Sequence, residues 1–332
     1  MTTRMISGTE LHVSPIALGT ALFGATIDTP TSYALLDAFV ERGGNFIDTA
    51  RSYNDWIPGE RGRSEGLIGR WMLERRNRSA LVIATKGGHA AGDGTSRLNG
   101  REIAADVDAS LQRLNIERID LYYVHRDDPS TPVATVIDAL NSHMRAGTIR
   151  YIACSNWKAH RIREANDYAS ASGQVGFVAN QPMWNAAVID PATLPDRTLA
   201  VMDADMWRMH ADSGLACVPY SSQAGGLFTK MSSSLWSLRY RFGNGPAGYP
   251  FAPNQKRHRE IAAIATAKSL TIAQVTLGYL LSQPFVTVPV VGCRSLDQLH
   301  STMSAADVRL DTADLAAIDA AGVTSVREFP SR

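Results

Sequence analysis

Short apolar runs recur along the chain, spaced so that a helix fits between successive runs. They stand at 16–20 (IALGT), 45–49 (NFIDT), 81–85 (LVIAT) and 119–124 (IDLYYV), and again at 149–154 (IRYIAC), 175–180 (VGFVAN), 215–220 (LACVPY) and 286–291 (VTVPVV). Apolar on both faces, they read as strands of a buried parallel sheet rather than as alternating surface strands. Between them the period becomes helical. Ile103, Val107, Leu111 and Leu114 step by four, four and three, and Val133, Val136, Ile137, Leu140 and Met144 form a second stripe. Thr131 and Pro132 open that second helix as N-cap and first-turn proline, and Gly147 closes it. TIAQ at 271–274 and SLDQ at 295–298 each spell a capping box.

Eight strands, each followed by a helical segment, predict an α/β fold of the (β/α)8 TIM-barrel type. The rival, a doubly wound open sheet, would carry G-x-G-x-x-G after its first strand, and the glycines at 19 and 24 do not have that spacing. Two segments stand outside the repeat. Residues 1–14 are expected to form an N-terminal hairpin closing the bottom of the barrel. Residues 221–258, rich in Gly, Ser, Pro and aromatics, are expected to form a long loop after the seventh strand; such loops in compact domains are usually functional or disordered. No break in composition divides the chain, so 1–332 reads as one barrel domain.

Composition narrows the function. A chain of 332 residues, 45% hydrophobic and 20% charged, is long enough to bury a substantial core. Its net charge of +1 favours neither nucleic acid nor an anionic membrane. The start, MTTRMISGTE, has no apolar core of the signal-peptide kind, and no apolar stretch approaches the ~20 residues a membrane span needs. Cys154, Cys217 and Cys293 match no zinc or redox spacing. The expectation is a cytoplasmic, metal-free, soluble protein acting on a small molecule.

In a barrel the active site lies at the carboxyl ends of the strands. Just beyond the predicted strands stand, in chain order, Asp48 and then Tyr53, Lys86, His125, Ser155-Asn156, Asn180-Gln181, Tyr220-Ser221-Ser222, and Gly292-Cys293-Arg294-Ser295. Asp48, Tyr53, Lys86 and His125 therefore converge on one rim. Each alone has a plain structural reading: a turn residue, a rim ring, a surface lysine, an interior histidine. Together they suit protonation of a carbonyl oxygen while hydride reaches its carbon. A lysine ammonium ~4 Å from a phenol, at an effective dielectric of ~20, favours the phenolate by ~4 kcal/mol, or about three pKa units. That would bring Tyr53 close to neutrality, where a general acid works best.

These residues lie in segments that resemble the aldo-keto reductase superfamily, particularly its bacterial-type members acting on sugars or small aldehydes. The resemblance runs roughly from Ser14 to Ala321, through VSPIALGTALFG (13–24), NFIDTARSYN (45–54), IATKGG (83–88), IDLYYVHRDD (119–128), YIACSNW (151–157), NQPMWN (180–185), PYSSQAGGLFTK (219–230) and PVVGCRSLDQL (289–299). It implies that Tyr53 is the general acid, that Asp48 and Lys86 tune it, and that His125 orients the substrate. It implies a dinucleotide site in which Ser155, Asn156 and Gln181 hold the carboxamide and Tyr220 stacks on the nicotinamide. Ser221, Gln223, Gly225 and Leu227 would span the pyrophosphate, with Gly19, Thr20 and Gly292 in the same cofactor set. Arg294 and Ser295 would meet a 2′-phosphate and Gln298 would make a further cofactor contact; a helix start beside a guanidinium is an anion site in its own right. The cofactor implied is NADPH, with NADH as the alternative, because Thr302 stands where an Asn commonly meets the adenine. Ser295 has a second reading as the plain cap of its helix.

On the substrate side, Phe23, Trp56, Trp157 and Trp184 follow different strands and are expected to line the mouth above the four ionisable groups. Segment 55–66 with Arg61 and Arg63, and Trp236, Tyr240, Arg241 and Tyr249 of the long loop, would complete the pocket around an aldehyde or a sugar. The expected activity is NAD(P)H-dependent reduction of a carbonyl. The alternatives are the same chemistry run as a sugar or alcohol dehydrogenase, and a cofactor-binding regulatory subunit of the channel β-subunit type. A barrel isomerase or dehydratase would need a metal cluster or a neutral Schiff-base lysine, and Lys86 sits beside a carboxylate.

Overall fold

The computed structural model describes residues 2–322 except 56, 60, 91, 93 and 244. The chain opens with an antiparallel hairpin of β1 (Arg4–Met5) and β2 (His12–Val13). The parallel strands come next as β3 (Ala17–Gly19), β4 (Phe46–Asp48), β5 (Val82–Gly87), β6 (Ile119–Val124), β7 (Ile149–Ser155), β8 (Ala179–Gln181), β9 (Ala216–Cys217) and β10 (Val290–Val291), each paired with its sequence neighbour and β10 with β3. Closure between β9 and the last strand segment runs through Cys217 N–H to Val286 O at 2.8 Å and Val288 N–H to Cys217 O at 2.8 Å. The architecture is the expected (β/α)8 barrel. Several strands are shorter than the apolar runs that announced them, and prolines at 182, 219 and 289, which have no N–H to give a ladder, stand at those ends.

The helices alternate with the strands: α1 (Thr29–Glu41), α2 (Arg63–Arg75), α3 (Gly100–Leu114), α4 (Val133–Arg145), α5 (Ala159–Ala171) and α6 (Ala204–Ser213). The stretch expected as a long loop after β9 is largely helical, with α7 (Leu227–Met231), α8 (Ser234–Arg241) and the start of α9 (Phe251–Ala267). Then come α10 (Ile272–Leu281), α11 (Leu296–Met303) and α12 (Thr312–Ala320). No single helix among the described residues is long and apolar enough to cross a membrane.

Local chemistry explains most boundaries. Thr271 and Gln274 complete their capping box at α10. At α11 only half of the expected box forms: Ser295 Oγ accepts the Gln298 N–H at 3.3 Å, while Gln298 Oε1 accepts instead from the Arg294 N–H at 2.8 Å. At α4 the cap falls on Pro132 rather than Thr131, whose hydroxyl donates to Asp128 at 2.8 Å. Gly147, at φ 78°, lies just past the C-cap, Ala146, as expected.

The barrel interior is filled by alternate strand residues, among them Ala17, Phe46, Val82, Ala84, Leu121, Tyr123, Ala153, Ala179 and Ala216. Ile6, Leu11 and Val13 of the hairpin join the same cluster, so the hairpin plugs one end of the barrel with apolar side chains. The opposite end carries the polar chemistry.

Candidate active site

A strand repeats its facing every second residue. Phe46, Ala84 and Tyr123 face the interior, and two residues beyond each come Asp48, Lys86 and His125. The parity that fills the barrel thus also delivers three ionisable side chains to its carboxyl end, all of them buried. His125 lies one residue past β6, and its N–H continues the ladder to Gly87 O at 2.8 Å.

Tyr53 arrives on the loop after β4, which is pinned at several points. Arg51 N–H donates to Lys86 O at 3.0 Å, and Tyr53 N–H to Ala50 O at 3.2 Å. The Arg51 guanidinium meets buried Asp106 of α3 at 2.7 Å, while Asp106 also accepts the Gly88 N–H at 2.8 Å. One carboxylate therefore ties the Tyr53 loop to the end of β5. Sequence pattern alone does not single out Arg51 or Asp106, since each is an ordinary charged residue on a loop or helix.

The centre is Lys86. Its ammonium donates to Asp48 Oδ2 at 2.6 Å, Thr49 O at 2.8 Å and the Tyr53 hydroxyl oxygen at 3.0 Å. An ammonium has three N–H groups and no acceptor, so all three are used. The Tyr53 oxygen is necessarily the acceptor in this bond, and its own proton remains available on another side. The second Asp48 oxygen accepts from Gln181 Nε2 at 2.9 Å. The Tyr53 and His125 rings meet edge to face with centroids 6.0 Å apart.

Burial alone would lower the Lys86 pKa, but the charges of Asp48 and Tyr53 and its bonds to both raise it, and the side chain stays protonated. His125 is driven well below the usual histidine range by burial and by Lys86, Arg126 and His89, so its ring is neutral. Its Nδ1 is buried without a hydrogen-bond partner among the described residues. Tyr53 departs from the expectation. Burial pushes its phenol above the ordinary value, and the nearby ammonium offsets that only in part. Tyr53 therefore holds its proton firmly in the resting site.

From Gly19, Asp48, Tyr53 and His125 a cleft of about 1010 Å³ runs past Ser155, Asn156 and Gln181, then Tyr220, Ser221, Gln223 and Gly225, to Gly292, Arg294 and Gln298. Tyr220 forms a wall, held by its hydroxyl donating to Asn156 Oδ1 at 2.7 Å. Beyond it Ser221 (φ 55°), Ala224 (49°), Gly225 (62°) and Gly226 (78°) curl the backbone through left-handed turns, a conformation that gathers amides into an anion-binding concavity. Nothing lies within 4 Å of a Cβ built on Gly225 or Gly292, so the wall is open there. An aromatic wall, a curled backbone and an exposed arginine at the far end fit an elongated, anionic dinucleotide. Asn156 is already committed within the protein: Nδ2 donates to His125 O at 3.2 Å and Ser155 Oγ at 3.1 Å. Arg126 and Lys230 also line the cleft, and the sequence pattern does not mark either.

Other expected site residues lie elsewhere. Trp157 and Trp184 are core side chains, not mouth residues: Trp157 packs edge-on against Phe177 at 5.2 Å and beneath Arg161, and Trp184 packs against Tyr279 and Phe285. Thr20 is fully buried, its hydroxyl on Asp48 O at 3.0 Å, and does not line the cleft. The Leu227 side chain belongs to the core, and Ser295 serves as the cap of α11. Tyr240 and Tyr249 are buried with the Tyr240 hydroxyl on Tyr249 O at 2.5 Å, and they, Trp236, Arg241, Arg61 and Arg63 are not among the lining residues. Phe23 does line the cleft, whereas Trp56 lies outside the described residues.

Comparison with known proteins agrees with the geometry. Residues 15–322 match the aldo/keto reductase family. The chain is 31% identical to norsolorinic acid reductase B of Aspergillus parasiticus, across 93% of this chain and 81% of that protein. It is 28% identical to aldo-keto reductase ausK of Emericella nidulans, across 96% and 81%. It is 29% identical to aryl-alcohol dehydrogenase [NADP(+)] of Phanerodontia chrysosporium, across 92% and 82%. These relatives are fungal proteins.

Proposed function

The chain belongs to the aldo/keto reductase family, and from that premise we propose that it reduces an aldehyde or ketone with hydride from a nicotinamide dinucleotide, Tyr53 supplying the proton. The bonding of Lys86 carries this reading. With its three N–H groups on Asp48, Thr49 and Tyr53, the ammonium is both charged and fixed. The bound dinucleotide would supply hydride to the carbonyl carbon.

The chain's own side chains handle the oxygen. Neutral His125 stands beside Tyr53 and lines the cleft, and its ring hydrogen-bonds and orients the carbonyl oxygen. As negative charge develops there, Tyr53 gives up its proton. The tyrosinate left behind lies 3.0 Å from the Lys86 ammonium in a buried setting, where that attraction is much stronger than in water. The lysine thus acts on the charged product state rather than by lowering the resting pKa. Oxidation of an alcohol uses the same atoms in reverse, Tyr53 acting as base.

The exposed Arg294 at the far end of the cleft, beside the N-terminus of α11, supports NADPH over NADH through its 2′-phosphate. The name of the Phanerodontia relative, an NADP(+) enzyme acting on aryl alcohols, points the same way. Ala21, Leu22, Phe23 and Ile27 give the cleft an apolar wall, which suits an aromatic or small aldehyde better than a sugar. We place the activity in the cytoplasm. Tryptophan fluorescence during titration with NADPH and NADH, followed by a panel of aryl aldehydes and aldoses, tests the reading. Tight NADPH binding with turnover of aldehydes is expected. Failure to bind either dinucleotide would end it.

A further inference from the structure

Arg126 follows His125 directly and lines the same end of the cleft. It is held as a fixed group rather than a free surface arginine. Nη1 donates to His125 O at 3.0 Å, Nε to Thr198 Oγ1 at 3.0 Å and Nη2 to Asp196 Oδ2 at 3.2 Å. Asp196 is itself braced by the Thr198 N–H and hydroxyl, at 2.8 and 2.6 Å. A guanidinium carries five N–H groups, and these bonds use three. Two remain for a ligand on a side chain that is 16% exposed.

The charge at this end is unbalanced. Asp48 and Lys86 cancel each other, and Tyr53, Tyr220 and His125 are uncharged. Among the described residues Arg126 is left with one ion-pair partner, Asp196, which is 42% exposed and therefore screened by water. Lys230 turns its ammonium onto Gly225 O at 2.7 Å, and Arg294 stands at the opposite end of the cleft.

We propose that Arg126 recognises a carboxylate on the substrate, so that the preferred substrates are aldehydes or ketones bearing an anionic group. The inference rests on the reductase reading above and names the substrate class of that same site. A charge-assisted bond to a preorganised guanidinium is worth about tenfold or more in affinity.

The test compares each acid with its own methyl ester: 4-formylbenzoate with methyl 4-formylbenzoate, and 4-oxobutanoate with methyl 4-oxobutanoate. The ratio of kcat/KM within a pair is an internal standard that a general loss of activity does not move. The wild type is expected to favour the acid about tenfold or more in at least one pair, chiefly through KM, and less so as salt is raised. Arg126→Gln should bring that ratio to within about twofold of one, and Arg126→Lys should restore part of it. A wild-type ratio near one in both pairs, with the esters reduced, overturns the role of Arg126 and leaves the reductase standing. So does a ratio unchanged in Arg126→Gln. No reduction of acid or ester with either dinucleotide overturns the reductase reading and the substrate class together.

Discussion

The two ends of the cleft are built differently. At the ends of β4 and β5 the side chains are buried and fully bonded: Lys86 uses every N–H it has, both oxygens of Asp48 are engaged, and the Tyr53 loop is tied to β5 through Asp106. Past β9 and β10 the cleft is walled by left-handed turns, glycines without neighbours, and an exposed arginine. Proton transfer needs atoms held in register before substrate arrives. Gripping a long anion needs backbone shape and space. The floor is therefore the rigid part of the molecule, and the far lip is tolerant of change.

The largest effect should come from Asp48→Asn, which leaves a buried ammonium unpaired. A loss of about 3–5 kcal/mol in urea unfolding is expected, and a loss under about 1 kcal/mol would break the contrast. Next, acid should act on the floor. His125 is neutral when folded, with its pKa held well below the ordinary value. Above about pH 6.5 it is neutral in the unfolded chain as well and makes no difference. As pH falls below that, the unfolded chain takes up a proton that the folded one refuses, so stability falls. His125→Gln should flatten this part of the stability–pH curve; an unchanged slope would assign the acid sensitivity elsewhere.

Glycines sharpen the comparison. A Cβ on Gly87 would meet the Tyr122 hydroxyl at 2.0 Å and Asp106 Cβ at 2.8 Å. Gly87→Ala should therefore cost about 1–3 kcal/mol by overpacking. Gly225→Ala meets no atom within 4 Å but must adopt φ 62°, so about 1 kcal/mol is expected from backbone strain alone. Thermal or urea denaturation of the two variants measures the difference. Smallest in stability is Arg294→Ala, within about 0.5 kcal/mol as for other exposed substitutions. It should nevertheless weaken NADPH about tenfold while sparing NADH, and equal losses for both would remove Arg294 from the 2′-phosphate.

The floor was legible in the sequence because strand parity is regular: Asp48, Lys86 and His125 each follow an inward-facing residue of a strong apolar run. Tyr53 sits on the loop after β4, outside the strand parity, and was placed at the rim only by its position just past that strand. Trp157 and Trp184 misled because standing after a strand does not say which way a ring turns. Both rings found aromatic partners under the helices. The segment after β9 read as a loop because its glycines, serines and prolines mask short helices. One of them, α8, leaves Leu235 and Leu238 exposed and so lacks an obvious buried stripe. The expected acidification of Tyr53 failed because a pairwise charge estimate omits burial, which here opposes it.

The central claim is that Tyr53 gives its proton to the carbonyl oxygen and takes no part in holding the dinucleotide. Tyr53→Phe removes one hydroxyl at the floor and nothing at the lip. Turnover of an aldehyde substrate and dinucleotide affinity, measured on the same preparation, separate the two. Turnover should fall by about 10²-fold or more, with dinucleotide affinity within about twofold of wild type. Turnover retained in the phenylalanine variant would contradict the account.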